Sequence, residues 1–237
     1  MSFKKILNNL FKGKNKIVVY TAILGNYDDL CDPKYISSNC DYICFTDNPN
    51  LTSKIWKIKK IKLYKNDIVR TSRMAKILAH KFVEEYDISI WTDSNITLTK
   101  DVNVLIDKYL KNKNIACFKH SIRDCIYQEA QECIILKKDD EDIILKQMEL
   151  YKTENYPEHN GLIESGILLR RHNVPAIKEA MELWWYFIDN YSKRDQLSFN
   201  YVAWKQKLNY NEIEQSVYVN DFSQYHIHKS PKPLTKN

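Results

Sequence analysis

Two oxygen-bearing side chains follow an apolar run in the first half of the chain. Residues 88–95 read Ile-Ser-Ile-Trp-Thr-Asp-Ser-Asn, so Asp93 and Asn95 come directly after a segment with the composition of a buried strand. On an extended backbone, positions i and i+2 point to one side, and open α/β sheets bind ligands beyond the carboxyl ends of their strands. A carboxylate and an amide oxygen at such a place suit a divalent cation or the hydroxyls of a ribose. The alternative interpretation is an Asx turn that only ends the strand, because Asp, Ser and Asn all form turns.

A cluster of cations precedes this step. Residues 70–76 read Arg-Thr-Ser-Arg-Met-Ala-Lys, and on a helix Arg73 shares a face with both Arg70 and Lys76, each three residues away. Such a face could clamp a diphosphate, since guanidinium and ammonium groups bind phosphate oxygens. It could equally be a solvated basic surface.

Two histidines near the end of the sequence could complete a metal site. His226 and His228 are separated by one residue, so on an extended segment both face the same side. Imidazole added to a set of oxygen ligands favours Mn²⁺ over Mg²⁺. The alternative is that both histidines belong incidentally to a basic tail.

Glycine-rich phosphate loops are missing from the sequence. The four glycines form neither a Gly-x-Gly-x-x-Gly motif nor a P-loop. A bound phosphate would therefore depend on cationic side chains or on a metal ion. The six cysteines contain no Cys-x-x-Cys pair and no zinc-like spacing, which favours free thiols in a reducing cytoplasm.

The positive charge of the chain is concentrated at its two ends. Of the 36 lysines and arginines, five lie in residues 1–16 and three in residues 229–237, and neither segment contains an acid. The remainder is nearly neutral, which argues against nucleic acid as a partner. The longest apolar runs fall far short of the roughly 20 residues of a membrane-spanning helix. We predict a basic amphipathic segment at 1–16, one domain at 17–228 and a basic tail at 229–237.

The N-terminal segment carries a possible membrane signal. Its apolar residues recur at helical spacing through residues 1–12, opposite lysine and asparagine. Such a helix could lie on the anionic cytoplasmic face of a membrane, or could pack on the domain's own core. We therefore expect a cytoplasmic protein, with a peripheral membrane contact as one option.

Strand-like and helix-like patterns alternate along the chain. Strands are predicted at residues 17–22, 41–45, 55–63, 88–91, 115–118, 166–169 and 217–219, and helices at residues 69–86, 101–110, 124–152, 173–191 and 194–204. This alternation predicts an α/β fold with a mainly parallel twisted sheet and helices on both faces.

The order of these motifs resembles retaining sugar transferases of the GT-A fold, particularly glycosyltransferase family 8. In that family an Asp-x-Asp step closes a strand and binds a metal ion and the ribose of the nucleotide. A later histidine, followed six residues on by Lys-Pro, supplies a metal ligand and a phosphate contact. Here His226 is followed six residues later by Lys232 and Pro233. The nucleotide-binding arginine of that family looks like Arg73, and its Asp-Gln step looks like Asp195-Gln196.

A closer similarity covers nearly all of residues 17–205. It is to the glycosyltransferase-like group once catalogued as domain-of-unknown-function family 616, and the similar blocks are residues 20–28, 45–47, 164–173 and 194–199. The chain departs from the family 8 pattern at Asn95, which replaces the second aspartate and would weaken a cation site. Lys229 and Leu234 also replace the usual glycine and tryptophan.

The resemblance implies a hexosyltransferase that moves a sugar from a nucleoside-diphosphate donor, such as a UDP-sugar, to a hydroxyl of a glycan or lipid-linked acceptor, with retention. The implied cofactor is Mn²⁺ or Mg²⁺, held by Asp93, Asn95, His226 and His228. The implied catalytic carboxylates are Asp195 and Glu164. The residues expected to bind the nucleotide sugar are Thr21, Ala22, Asn26, Tyr27, Asp47, Arg70, Arg73, Lys76, Asp93, Ser94, Gln196 and Lys232.

Two other functions are compatible with the sequence. Residues 93–97 (Asp-Ser-Asn-Ile-Thr) come close to the Asp-x-Asp-x-Thr motif of haloacid-dehalogenase-type phosphatases, although Asn95 cannot donate a proton as the second aspartate does there. The other possibility is a nucleotide-sugar-binding domain that has lost activity. The oligomeric state stays open.

Overall fold

A seven-stranded sheet runs through the computed structural model, which describes residues 15–228. The strands are β1 (Ile17–Ile23), β2 (Cys40–Thr46), β3 (Lys57–Lys60), β4 (Ile88–Thr92), β6 (Ile115–Lys119), β7 (Ile163–Arg170) and β8 (Asn211–Ile213), in the spatial order β3-β2-β1-β4-β7-β6-β8. Strand β7 runs antiparallel to β4 and β6, whereas the other neighbouring strands of this sheet are parallel. A short antiparallel pair joins β5 (Ile96–Leu98) to β9 (Ser223–Tyr225).

Seven helices accompany these strands in the described part of the chain. They are α1 (Ile68–Ile77), α2 (Ala79–Phe82), α3 (Val102–Tyr109), α4 (Ile126–Ile135), α5 (Glu141–Thr153), α6 (Pro175–Asn190) and α7 (Phe199–Lys205). Single 3₁₀ turns occur at Tyr64–Asn66 and Asp195–Leu197.

Both faces of the sheet are buried. Side chains alternate between the faces of a strand, and in β1 Val18 and Tyr20 belong to one hydrophobic cluster, with residues of α1 and α4–α7. The intervening Ile17 and Val19 belong to a second cluster, with residues of α3 and β5. The predicted α/β fold, with a mainly parallel sheet covered on both sides, is confirmed.

Two predicted helices are broken in the structure. The predicted helix at 124–152 is the pair α4 and α5, because Lys137 adopts a left-handed backbone (φ 47°) after α4 and Asp140 caps α5 by accepting from the Ile143 amide at 3.0 Å. The predicted helix at 69–86 ends at Leu78. There the fully buried Arg170 donates to the carbonyls of Lys76 and Ile77, at 2.7 and 3.0 Å.

Other boundaries also differ from the sequence predictions. The predicted edge strand at 55–63 shrinks to β3, and the predicted strand at 217–219 is a loop in which Val219 forms a single bridge with Gln224. The predicted helix at 194–204 begins as a 3₁₀ turn before α7. Within residues 15–228, no helix has the length and hydrophobicity needed to cross a membrane. The N-terminal segment at 1–12 and the basic tail at 229–237 lie outside the described residues, so those predictions stay open.

The antiparallel direction of β7 matters for the site. Because β7 opposes β4, its first residues lie beside the carboxyl end of β4, and the Asp93 amide donates to the Gly166 carbonyl at 2.8 Å. The segments that follow β1 and β4 therefore meet the start of β7 at one edge of the sheet.

Candidate active site

A cavity of about 480 Å³ opens at this edge of the sheet. Its walls come from the ends of β1 and β4, the start of α1, the start of β7, and three loops. The lining residues belong to segments 22–24, 27–28, 68–73, 91–96, 136–138, 164–166, 193–196, 217–218, 225 and 228. Its volume falls in the range of small-molecule sites.

Trp91 and Lys76 hold the Asp93 carboxylate in place. Its Oδ1 accepts from Trp91 Nε1 at 2.7 Å and lies 3.5 Å from Lys76 Nζ. A Cβ at Gly166 would lie 2.8 Å from Ile96 Cδ1 and 3.6 Å from Asp93 Oδ2. The space beside this carboxylate thus depends on glycine at position 166, since a larger residue would force its neighbours to move.

Two hydrogen bonds join Asn95 to the backbone of His226. Asn95 Nδ2 donates to the His226 carbonyl at 2.9 Å, and the His226 amide donates to the Asn95 carbonyl at 2.8 Å. The His226 ring lies on another side, with Nε2 3.0 Å from Thr97 Oγ1. Asn95 lines the cavity, whereas the predicted metal ligand His226 is engaged by Thr97.

His228 reaches the cavity together with a carboxylate that sequence reasoning did not single out. Its Nδ1 lies 2.9 and 3.1 Å from the two oxygens of Asp28, which also accepts from Ser94 Oγ at 2.5 Å. The Tyr27 ring packs on the His228 ring, with centroids 5.1 Å apart. This group ties the loop after β1 to the end of the described chain.

These contacts leave three side-chain atoms that are candidate ligands of a divalent cation. Asp28 orients the His228 ring so that its Nε2 is the remaining ligand atom, an arrangement typical of metal-binding histidines. The Asn95 amide nitrogen and Asp93 Oδ1 are engaged, which leaves one oxygen on each side chain. In the chain from residue 15 to 228, no group of three or more His, Cys, Asp and Glu residues has metal-binding geometry. A cation here would therefore need the neutral Asn95 oxygen or oxygens of the ligand itself.

Asp195 is the centre of a buried ionic network. Its Oδ2 lies 2.6 Å from Lys76 Nζ and accepts from Ser165 Oγ at 2.8 Å, and Arg73 Nε lies 3.5 Å away. Burial alone would raise the pKa of Asp195, but the positive charges of Arg73, Lys76 and Arg194 outweigh it and hold this pKa well below its usual range. Asp195 is therefore a permanent anion, unsuited to donate a proton.

Glu164 clamps two loops against β7. Its Oε1 accepts from the amide and hydroxyl of Ser121, at 3.1 and 2.8 Å. Its Oε2 accepts from Ser216 Oγ at 3.1 Å and from the Val217 amide at 2.7 Å. Although Glu164 lines the cavity, these four bonds occupy both oxygens, which is the arrangement of a positioning residue.

The residues predicted to bind the nucleotide fall into two groups. Ala22, Tyr27, Arg73, Asp93, Ser94 and Gln196 line the cavity together. Two others, Asp47 and Asn26, do not line it. Asp47 accepts from the Gly25 amide at 3.0 Å, and Asn26 accepts from Asn48 Nδ2 at 2.9 Å, so both fix the loop after β1.

The remaining predicted residues lie away from the cavity surface or beyond the described chain. Thr21 is buried within β1. The Arg70 guanidinium donates to Asp67 at 2.9 Å and to carbonyls at the end of α6, so it joins α1 to α6. Lys76 supports Asp195 from inside the core. Lys232 lies outside the described residues.

Comparisons with known proteins identify the family of the chain. Residues 7–229 match the family model described as "TOD1/MUCI70, glycosyltransferase-like domain". The chain is 26% identical over 214 residues to the probable hexosyltransferase MUCI70 of Arabidopsis thaliana, an alignment that covers 78% of this chain and 37% of that protein. The chain thus spans well under half of that relative's length.

The chain also aligns with a solved structure, the apo form of the bifunctional glycosyltransferase WbbM. It aligns with a TM-score of 0.49 at 14% identity, over 81% of this chain and 38% of that one. The predicted relation to glycosyltransferase family 8 stays a prediction. The family match spans nearly the whole chain, and the protein belongs to the TOD1/MUCI70 glycosyltransferase-like domain family.

Proposed function

We propose that this protein transfers a hexose from a nucleoside-diphosphate donor to a hydroxyl group, and that the donor binds in the cavity at the edge of the sheet. One observation supports this most strongly. The acidic step at Asp93, the cation Arg73 and the buried anion Asp195 come from distant parts of the sequence and line a single cavity.

The nucleoside is expected on the β1 side of the cavity. Tyr27 lines this side, and its hydroxyl is buried without a hydrogen-bond partner among residues 15–228. Burial raises the pKa of Tyr27, so the hydroxyl stays protonated and can donate to a base or a ribose. An unpaired buried donor is costly, and a bound nucleoside would remove that cost.

The diphosphate would be held between Arg73 and the acidic step. As the bond between the sugar and the diphosphate breaks, negative charge grows on the leaving oxygen and must be neutralised there. Arg73 is mostly buried, and its Nε has no hydrogen bond in the described chain. Mn²⁺ or Mg²⁺ held by Asp93, Asn95 and His228 would add charge neutralisation, and Lys232 remains a candidate for a further phosphate contact.

Asp195 would act on the sugar. Its Oδ2 is saturated by Lys76 and Ser165, and Oδ1 is the remaining atom of a residue that lines the cavity. A fixed anion at this place stabilises the positive charge that develops on the sugar ring when the diphosphate leaves. The acceptor oxygen then bonds to the anomeric carbon, the bond between this carbon and the diphosphate oxygen breaks, and the acceptor proton passes to the departing diphosphate. Retention rests on the family 8 resemblance, and the anomeric configuration of the product, read by NMR, tests it.

Donor turnover tests the proposal. The protein is incubated with UDP-, GDP-, CDP- and dTDP-hexoses, and release of the nucleoside diphosphate is measured with water as the acceptor. The wild type should release one of them, and Asp195→Asn should be slower by roughly 10²–10³-fold, the usual effect of removing one electrostatic stabiliser. Asp107→Asn, an exposed aspartate on α3, is the matched control and should be unchanged.

The possible outcomes separate the alternatives. Equal rates for Asp195→Asn and the wild type contradict the role of Asp195. Binding without any release supports the non-catalytic sugar-nucleotide-binding domain. If no donor binds or turns over, the proposed function is wrong.

A further inference from the structure

The cavity is lined by a second set of cations besides Arg73. Lys137 and Lys138 lie in the loop between α4 and α5, and Lys193 and Arg194 lie just before the 3₁₀ turn at Asp195–Leu197. All four line the same cavity as Asp93. We call these four residues the basic wall.

The basic wall belongs to the β7 side of the sheet. The 3₁₀ turn that follows it packs on β7 and α4, and Gln196 Nε2 donates to the Ile163 carbonyl in β7 at 3.2 Å. Tyr27 and Asp28, on the expected nucleoside side, follow β1, which is separated from β7 by β4. The wall and the nucleoside side therefore occupy different ends of the cavity.

The carboxylates of the cavity are already engaged by other groups. Asp195 pairs with Lys76 and Arg73, Asp28 pairs with His228, and Glu164 accepts four hydrogen bonds from neutral donors. Asp93 lies 3.5 Å from Lys76. Of these carboxylates, only Asp195 feels the charge of the wall, because Arg194 helps to lower its pKa, and none of the four forms an ion pair with a lysine of the wall.

The cations of the wall, by contrast, are poorly paired. Across residues 15–228, Lys137, Lys138 and Arg194 form no ion pair, and Lys193 has only a long one, 3.9 Å from Asp139 Oδ1. Asp139 itself is occupied by the Ser192 hydroxyl and the Lys193 amide, both at 2.8 Å.

The hydrogen bonding of the Arg194 guanidinium is incomplete. Its Nη2 donates to Gln196 Oε1 at 3.1 Å and its guanidinium also contacts the buried Cys133 thiol, but its Nε makes no hydrogen bond of good geometry in the described chain. Buried donors are rarely left unpaired, because the loss of water is then uncompensated. A guanidinium with a free donor, lining the same cavity as two lysines without ion pairs, suits a planar or tetrahedral oxyanion.

We propose that the basic wall is a subsite for an anionic group, a phosphate or a carboxylate, carried by the sugar acceptor. The proposal rests on the proposed transferase function, and it adds the chemical class of the acceptor. The acceptor hydroxyl would lie near Asp195, the residue that follows Arg194, while the anionic group of the same molecule contacts the wall.

The test uses the full chain and simple sugars as probes. Glucose 6-phosphate, glucuronate and glucose are titrated by calorimetry, both alone and with whichever of UDP, GDP, CDP and dTDP binds. We expect at least one charged sugar to bind about tenfold or more tightly than glucose, and the nucleotide not to compete with it. The charged sugar that binds with the higher affinity shows whether the subsite prefers a phosphate or a carboxylate.

Two variants assign the preference to the wall. Lys137→Ser/Lys138→Ser and Arg194→Gln should each reduce the preference for the charged sugar by about tenfold, with the affinity for the nucleoside diphosphate changed less than about twofold, since a charge-assisted hydrogen bond contributes on this scale. Lys60→Ser/Lys62→Ser removes the same charge from two exposed lysines at the β3 edge, and this control should keep the preference.

Three outcomes would overturn the proposal. The first is equal binding of glucose and both charged sugars, and the second is no binding of either charged sugar. The third is competition between the charged sugar and the nucleoside diphosphate, which would assign the wall to the donor. Failure of all four nucleotides to bind would instead count against the proposed function, and the sugar titrations without nucleotide would still test the wall.

Discussion

Replacing Lys76 with methionine should strongly destabilise the protein. Lys76 is 1% exposed, and its ammonium lies 2.6 Å from Asp195 Oδ2 and 3.0 Å from Ser165 Oγ. Methionine has a similar length but no charge, so Lys76→Met leaves Asp195 as a buried anion without its nearest cation. The residual support would be Arg73, at 3.5 Å, the positive charge of Arg194, and the Ser165 hydroxyl.

The size of the effect follows from the burial of the pair. Removing one partner of a buried ion pair costs about 3–5 kcal/mol, because the remaining charge is left uncompensated. Since Arg73 and Ser165 stay in contact with Asp195, we expect the lower end, about 3 kcal/mol. For a protein of this size, that corresponds to a decrease in melting temperature of roughly 6–12 °C.

Urea unfolding at neutral pH measures this loss. The free energy of unfolding is extrapolated to water, and an unchanged m-value shows that the loss is one of stability. Lys146→Met, on the exposed face of α5, is the matched control and should stay within about 0.5 kcal/mol of the wild type. The double variant Lys76→Met/Asp195→Leu should recover part of the loss, because it removes the orphaned charge. The reasoning is refuted if Lys76→Met costs less than about 1 kcal/mol.

Three further predictions concern the walls of the cavity and the core. Glu164→Gln should cost about 1–3 kcal/mol, because an amide cannot accept all four hydrogen bonds, and hydrogen exchange should accelerate in the two loops that Glu164 holds. Gly166→Ala should cost about 1–3 kcal/mol and weaken donor binding, because its Cβ would lie 2.8 Å from Ile96 Cδ1 and 3.0 Å from Val217 Cγ2; a stable variant with normal binding would contradict this. Burial and the charge of the neighbouring arginine lower the pKa of His172 from 6.5 to about 4. Between these pH values the unfolded state binds a proton at His172 that the folded state does not bind. The free energy of unfolding should therefore fall by about 3 kcal/mol as the pH drops from 6.5 to 4. The unfolding free energy of His172→Gln, measured across that range, should show a weaker dependence on pH.

The position of the acidic step at a cavity beyond a strand end could be predicted from the sequence, since it depends on local patterns. The apolar run that ends at Asp93 forms a buried strand, and the step after it lines the cavity, as expected for an α/β sheet. The alternation of strands and helices was enough for the fold class. Helix ends were less predictable. The break at Leu78 depends on Arg170, which approaches it from β7, and such a contact has no local signature.

The contacts that organise the site could not be read from the sequence, because their partners are far apart along the chain. Asp28 and His228 are 200 positions apart, and Lys76 and Asp195 are 119 positions apart. Lys76 was predicted to bind phosphate, but it is buried beneath the cavity surface and pairs with Asp195. Glu164 could not be recognised as a clamp, since its four donors come from two loops whose approach depends on the tertiary fold.

Binding of nucleoside diphosphates is the most direct test of the central claim, that the cavity beside Asp93 is the donor site. UDP, GDP, CDP and dTDP are titrated by calorimetry into the wild type, Asp93→Asn and the control Asp107→Asn, with Mn²⁺ and then with a chelator. We predict that one nucleotide binds the wild type and the control equally, and that Asp93→Asn binds it at least about tenfold more weakly, a loss of about 1.4 kcal/mol. The account is contradicted if no nucleotide binds, or if Asp93→Asn binds as tightly as the wild type.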